Sequence, residues 1–270
     1  MIMNIRIFIR KLLASAFIIL ISSPFIMGSI VVLNSLTHEN TVNRGETYNG
    51  SIDIQNTADS EKSVRVYILD YTFNFGGESK HDVPGTVARS NSGWITYNPQ
   101  LLNLAAGEKA TIAFEVKVPD NDTLIGTYWS VIMVEGIIPP DTTKTKTGVT
   151  INTAIRYAVQ IVTQIGNSGT SDLQFLGLQM EKQNENNILN VLIENTGQRQ
   201  LRPELALELF DENGNSAGVI KAERRKTFPG TSIKLVLALE GIKPGKYTGV
   251  LVADCDEDHV FGTNVSLEIE

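Results

Sequence analysis

The stretch 126–165, GTYWSVIMVEGIIPPDTTKTKTGVTINTAIRYAVQIVTQI, limits the fold more than any other in the chain. Residues 128–135 are nearly unbroken in apolar and aromatic side chains, with Ser130 breaking the run and Glu135 closing it. Further on, Val149, Ile151, Ile155, Tyr157, Val159 and Ile161 share one parity, and Thr150, Asn152, Ala154, Arg156, Ala158 and Gln160 share the other. Successive side chains of a strand point to opposite faces, so alternation of this length marks a β-strand, and the β-branched residues in it agree. Ile138, Pro139 and Pro140 and a polar loop at 141–147 join the two runs into a long hairpin.

The rest of the mature chain repeats this style. Val64, Val66 and Ile68 alternate with Arg65, Tyr67 and Leu69, and Ala110, Ile112, Phe114, Val116 and Val118 keep a strict period of two. Turn residues separate the runs, as at 43–46, 56–59, 106–108, 212–215 and 243–245. Residues 72–92 read as a long loop rich in Gly, Ser, Asn and charge. Long windows of helical period are absent, so the fold class is all-β. Gly166, Asn167, Ser168, Gly169, Thr170 and Ser171 form the best linker. The expected organisation is therefore a sandwich at 29–165, a linker at 166–171 and a second sandwich at 172–270, both immunoglobulin-like. The halves share a pattern: Ile52-Asp53-Ile54-Gln55-Asn56-Thr57 parallels Val191-Leu192-Ile193-Glu194-Asn195-Thr196. Val64, Val66, Ile68, Ile112, Phe114 and Val116 are the expected first core. Leu205, Leu207, Leu209, Leu235, Leu237, Val250 and Val252 are the expected second core.

The N-terminus has another purpose. Arg6, Arg10 and Lys11 precede an apolar run from Leu12, which ends in small residues at Gly28 and Ser29. That is a secretory signal pattern, read as 1–28, with an uncleaved anchor as its rival. The chain is thus expected to be exported to the periplasm or surface of a bacterium, with no membrane span in its mature part. Its net charge of −7 and lack of a basic stripe argue against nucleic acid. The single cysteine, Cys255, rules out an intrachain disulfide, so each sandwich must rely on its core.

Catalytic signals are sparse. His38 and His81 are placed in loops and His259 in a turn, none in a catalytic motif, and no Gly-rich phosphate loop opens a helix. The expectation is no enzyme, no cofactor and no metal. The Asp254–His259 turn carries carboxylates, a thiol and an imidazole, which could ligate a metal, but neighbours on a tight turn point in different directions and few could converge on one ion, so a charged turn is the preferred reading. Arg224, Arg225 and Lys226 read as a solvated loop or strand edge. Trp94 and Trp129 read first as packing residues and second as ligand platforms.

Ser92-Gly93-Trp94-Ile95, Pro99, Leu104-Ala105-Ala106-Gly107-Glu108, the runs 112–116 and 128–135, Ile138-Pro139-Pro140 and the final strand of the hairpin together resemble the first domain of periplasmic pilus-assembly chaperones of the PapD type. The resemblance implies a non-enzymatic protein-binding module whose partner is a pilin-like or surface subunit. In that family the last strand of the first domain is lent to the subunit, and main-chain hydrogen bonds supply affinity. Carried over, the partner-binding edge is Val149, Ile151, Ile155 and Tyr157, with Arg156 beside them. The family anchors the subunit's terminal carboxylate with an Arg near the start and a Lys on this last strand. Here the last strand carries Arg156, and the first strand has no Arg. The alternative reading is a cell-surface adhesion or glycan-binding module, motivated by Trp94, Trp129 and the 72–92 loop.

Overall fold

The computed structural model describes residues 29–137, 155–183, 186–255 and 259–270. Residues 1–28, read above as a signal peptide, residues 138–154, which include Val149 and Ile151, residues 184–185 and residues 256–258 lie outside the described residues. Among those described, regular structure is strand throughout, apart from a 3-10 turn at Ser92–Trp94.

The first sandwich contains β1 (Ile30–Val32), β2 (Thr37–Val42), β3 (Thr47–Asn56), β4 (Lys62–Phe73), β5 (Ser79–Asp82), β6 (Ile95–Asn98), β7 (Leu101–Leu104), β8 (Lys109–Lys117), β9 (Gly126–Ile137) and β10 (Arg156–Ile165). One sheet runs β1-β3-β8-β6, the other β2-β10-β9-β4-β5, with β7 also on β4. The second sandwich contains β11 (Leu173–Gln183), β12 (Asn186–Asn195), β13 (Glu204–Phe210), β14 (Ser216–Ala222), β15 (Ser232–Ala238), β16 (Gly245–Asp254) and β17 (Val260–Ile269). Its sheets run β11-β12-β15 and β14-β13-β16-β17.

Alternation decides which side chains fill each core. Ile52, Ile54, Val64, Val66, Ile112, Phe114 and Val116 meet Ile132, Val134, Val159 and Ile161 between the first two sheets, with Ile68 partly buried against them. Burying one such side chain contributes about 1.5–3 kcal/mol. Leu205, Leu207, Leu209, Leu235 and Leu237 fill the second core. On β16, however, Leu251 and Ala253 point inward, while Val250 is exposed and Val252 half-buried. The run Val250-Leu251-Val252-Ala253 is apolar at every position, so it carries no parity of its own. Pairing decides it, because Leu207 lies opposite Leu251 and Leu205 opposite Ala253.

Several stretches differ from the reading of the sequence. Part of the 72–92 stretch continues β4 to Phe73 and pairs it with β5. His81 consequently lies on β5 and not in a loop, and His38 lies on β2. The polar β2 and the small-residue β14 had no apolar period to announce them; tertiary pairing makes them strands.

The repeated Asn-Thr pattern has a structural counterpart. Asn56, fully buried, donates through Nδ2 to the carbonyls of Ser60, Leu104 and Ala105, and its Oδ1 accepts from Ala58 N–H. Asn195, equally buried, donates to the carbonyls of Arg199 and Thr227 and accepts from Gly197 N–H. Each side chain supplies partners for backbone groups that a strand ending inside a sandwich would otherwise leave unpaired.

The segment joining the sandwiches is pinned. Gly126 N–H donates to Ser168 Oγ, Gln164 Nε2 to Gly166 O and Ser168 O, and Thr127 N–H to Gln198 O. At Gly126, with φ of +74°, an added Cβ would stand 2.0 Å from Gln198 O. Only glycine lets the second sandwich approach so closely.

Candidate functional site: the open edge of β10 and the cleft beside it

β9 explains why the organising hairpin looks continuously apolar. Its core-facing residues fill the first sandwich, and Trp129 on the opposite face is covered by the second. Trp129 is 2% exposed; its indole stacks on Phe228 at 4.7 Å and 9°, and its Nε1–H donates to Tyr71 O. Val162 and Phe73 complete the contact. Trp94 packs against Tyr128 at 4.8 Å. Trp129 has no face left for a sugar, and Trp94 is partly buried against the first core.

β10 lies beside β9 along its whole length, Arg156 to Ile165. On its other side β2 covers only Gln160 to Ile165, in parallel. From Arg156 to Val159, β10 has one partner strand among the described residues, so it is an edge over its first part and an inner strand over its second. Gln160 N–H donates toward Leu36 O on the β2 side. Backbone groups alternate in direction along a strand, so those of Ala158 and Arg156 face the open side. Of the residues expected at the edge, Ile155 is 45% exposed and Tyr157 is partly buried against the first core. Val149 and Ile151 lie outside the described residues.

Arg156 occupies the outward face. Its Nε donates to Glu135 Oε1 at 2.6 Å, while Arg65 donates to Glu135 Oε2 at 2.7 Å and Tyr67 OH to the same oxygen at 3.0 Å. The register sets this row, with Arg65, Glu135 and Arg156 side by side on β4, β9 and β10. Hydrogen bonding from Arg65 holds the Glu135 carboxyl below its ordinary range, against the upward push of burial, with Tyr67 and Arg156 adding to the effect. The row staples three strands where the open edge begins.

Beyond Val159 the edge runs into a cleft of about 500 Å³ between the sandwiches. Thr37 and Gln160, the first pair at which β2 covers β10, lie on its wall, their side chains 3.4 Å apart. The tip of the β4–β5 hairpin forms a second wall and bonds the other sandwich through Phe75 N–H and Ser232 Oγ. Arg225, Lys226 and Lys234 bring positive charge from the second sandwich. Lys226 is tied to Glu39 on β2, which also receives Arg202. Burial, the largest influence on Glu39, pushes its carboxyl up, but the hydrogen bonds and charges of Lys226, with those of Arg202 and Gln200, outweigh it and leave it lowered. The basic run 224–226 was the sequence signal for this cleft. Its loop position hid the fact that it faces the other sandwich rather than solvent alone.

His38, next to Glu39, has its imidazole edge-on to Phe114 at 5.3 Å, and its Nε2 is buried with no hydrogen-bond partner among the described residues. Burial lowers its pKa, opposed by a hydrogen bond with the Ser35 backbone. Among the described residues no cluster of three or more His, Cys, Asp or Glu could hold a metal ion, and no helix is long and apolar enough to cross a membrane.

No protein-family model matches the chain, and no curated protein matches it. Solved structures do match along most of it. A chaperone–tip adhesin complex of CFA/I fimbriae biogenesis is 13% identical, covering 88% of this chain and 98% of that one with a TM-score of 0.46. The CsuC–CsuE chaperone–tip adhesion subunit pre-assembly complex of Csu pili from Acinetobacter baumannii is 12% identical, covering 87% and 97% with a TM-score of 0.44. The E. coli chaperone DraB is 12% identical, covering 90% and 99% with a TM-score of 0.41.

Proposed function

We propose that this chain is an exported, non-enzymatic protein-binding module of the pilus-assembly chaperone kind, which receives a strand of its partner along the open edge of β10. The observation that carries the reading is the half-covered strand. β2 leaves the edge from Arg156 to Val159 without a partner strand among the described residues, and the exposed Ile155 stands at its head. An unpaired strand edge on a folded sandwich is a liability unless it is covered, charged or used. Arg156 supplies charge to the face of this strand, not to its edge, since its guanidinium is held by Glu135. Strand addition would satisfy the open backbone groups of Ala158 and Arg156, and alternate side chains of hairpin and partner would then set specificity. The motifs shared with pilus chaperones support a pilin-like or surface subunit as the partner. The packed interdomain contacts support a preorganised surface, which lowers the cost of binding.

Recovery of partners with the mature protein from a bacterial envelope tests this. Ala158→Pro removes an N–H on the open side and spares those that face β9, a position where an edge strand tolerates proline. Ile155→Asp places a charge where an apolar pocket would receive a side chain. Both variants are expected to fold as the parent does and to recover at least tenfold less partner, a loss equivalent to about 1.4 kcal/mol. Unchanged recovery with both, or no enriched partner with the parent, removes the proposal.

A further inference from the structure

We infer that two copies of this chain associate through the open edge of β17, antiparallel about a two-fold axis at Asn264, so that the β14-β13-β16-β17 sheets of the two copies join into one. This goes beyond the edge-binding reading above and does not depend on it. Three observations lead to it.

The first is the edge itself. β17 pairs with β16 from Val260 to Ile269, and among the described residues no strand lies on its other side. Where the hairpin closes, Cys255 N–H donates to His259 O at 2.9 Å. Backbone groups alternate in direction along an antiparallel strand, so Phe261, Thr263, Val265 and Leu267 share the direction of His259 and bond β16. The N–H and C=O of Val260, Gly262, Asn264, Ser266 and Glu268 therefore face the open side. Those five are also the exposed residues of the strand. The second is contrast with the other edges of the same sandwich. β11 shifts register between Phe175 and Gly177 and ends in Glu181 and Lys182. β14 meets a register shift at Leu209 and Phe210 and holds Gly218 at φ of +121°. On β15 the carbonyl of Lys234 is taken by Arg225 at 3.0 Å. Bulges and basic side chains of this kind discourage edge pairing, and β17 has neither, nor a proline. The third is self-complementarity. Antiparallel pairing about Asn264 sets Phe261 against Leu267 and Thr263 against Val265 of the second copy on one face. On the other it sets Gly262 against Ser266, Val260 against Glu268, and Asn264 against its own twin. Apolar groups meet apolar groups, and the one charged side chain of the strand, Glu268, faces a neutral one, so no like charges are opposed. Each Asn264 amide carries both a donor and an acceptor for the other. The two-fold consumes both edges and closes at two copies. An edge pair of this length buries less than about 1,200 Å², so the expected dimer is weak.

Sedimentation of the mature protein from about 1 μM to about 1 mM tests this, with half of the chains expected in dimers at about 100 μM. Asn264→Pro deletes the central outward N–H and spares those that bond β16, and an edge strand tolerates proline there. It is expected to melt as the parent does and to weaken the dimer at least about tenfold. Ala158→Pro, on the open edge of β10, is expected to leave the dimer unchanged. A monomer at every concentration, or a dimer kept by a folded Asn264→Pro, overturns the inference. So does a dimer dissolved by Ala158→Pro alone, which would assign self-association to β10.

A second arm reads the register and stands even where Asn264→Pro does not fold. Hydrogen-bonded antiparallel pairs hold their Cα atoms about 5.5 Å apart, within disulfide reach. Under mild oxidation Asn264→Cys is expected to form a covalent dimer by itself. Gly262→Cys and Ser266→Cys are expected to do so much faster when mixed than when either is alone. The parent, whose only cysteine is buried, gives the background, and Val219→Cys, exposed on β14, gives the rate of random collision. Cross-linking of Asn264→Cys no faster than that of Val219→Cys overturns the inference, and so does a mixture that reacts no faster than its components.

Discussion

The two sandwiches carry the same buried asparagine at the end of the same kind of strand, yet they treat their sheets differently. Asn56 and Asn195 each bridge the backbone of a turn and an opposing segment. Beyond that likeness, β13 of the second sandwich alternates buried and half-exposed along its length, while β9 of the first is buried on nearly every residue. The difference lies in what each sheet faces. The sheet of β13 packs its own core on one side and meets water on the other. The sheet of β9 packs its core on one side, and on the other meets Phe228 and the cleft. An inner strand covered on both faces reads as an unbroken apolar run, and a strand covered on one face alternates.

The largest way to break this contrast is Trp129→Ala. If the second face of β9 depends on its stack with Phe228, the variant should lose about 3–5 kcal/mol and leave the sandwiches unfolding in separate steps. Calorimetry showing one unshifted transition would mean the interface contributes little. Next come Asn56→Ala and Asn195→Ala. Each strands buried backbone carbonyls, at an expected cost of about 2–4 kcal/mol by urea unfolding, and the two should agree within about 1 kcal/mol if the motifs do the same task. A silent substitution in one half would show the likeness to be of pattern only.

A smaller effect should come from the link between β2 and the second sandwich. Glu39→Gln removes an anion shared by Arg202 and Lys226, at a cost of about 1 kcal/mol once solvent screening is allowed for. The pH dependence has a definite sign. Glu39 and Glu135 have folded pKa values below their ordinary ones, so their contribution is present above the unfolded carboxylate range and fades as pH falls through the lowered values. His38 is also lowered, so it resists protonation in the folded state and likewise weakens the fold on acidification below its ordinary value. Melting temperature should therefore fall from neutral pH to about pH 4, less steeply in Glu39→Gln. A flat profile would contradict all three assignments.

The smallest effect concerns β16. Val250→Thr, on its outward face, should change stability by no more than about 0.5 kcal/mol, whereas Leu251→Ala should cost about 2–5 kcal/mol. Equal costs would put the parity of β16 in question.

Much of this architecture was legible from residues alone. The period of two in Val64-Val66 and in Ile112-Phe114-Val116 marks strands and names the face that is buried. The parallel between 52–57 and 191–196 foreshadowed the paired asparagines, although nothing in either hexapeptide says that the amide turns inward. The parity of β16 was not legible, because four consecutive apolar residues fit either face. Strands β2 and β14 were missed because their residues have little period, and only their neighbours make them strands. The alternation through Ile155, Arg156 and Tyr157 was readable as a strand. How much of that strand β2 covers was not readable, since it depends on how far β2 runs alongside.

The amino-acid order by itself determined the strands with a clear apolar period and the two-part layout, because side-chain alternation and turn chemistry act over a few neighbouring residues. Tertiary structure decided that, among the described residues, β2 covers β10 only over its second part, that Trp129 joins the sandwiches, and that a basic run about sixty residues beyond β10 faces Gln160 across a cleft. Those are relations between segments distant in sequence. They are set by which sheet faces must be buried against each other, and local propensity carries no record of them.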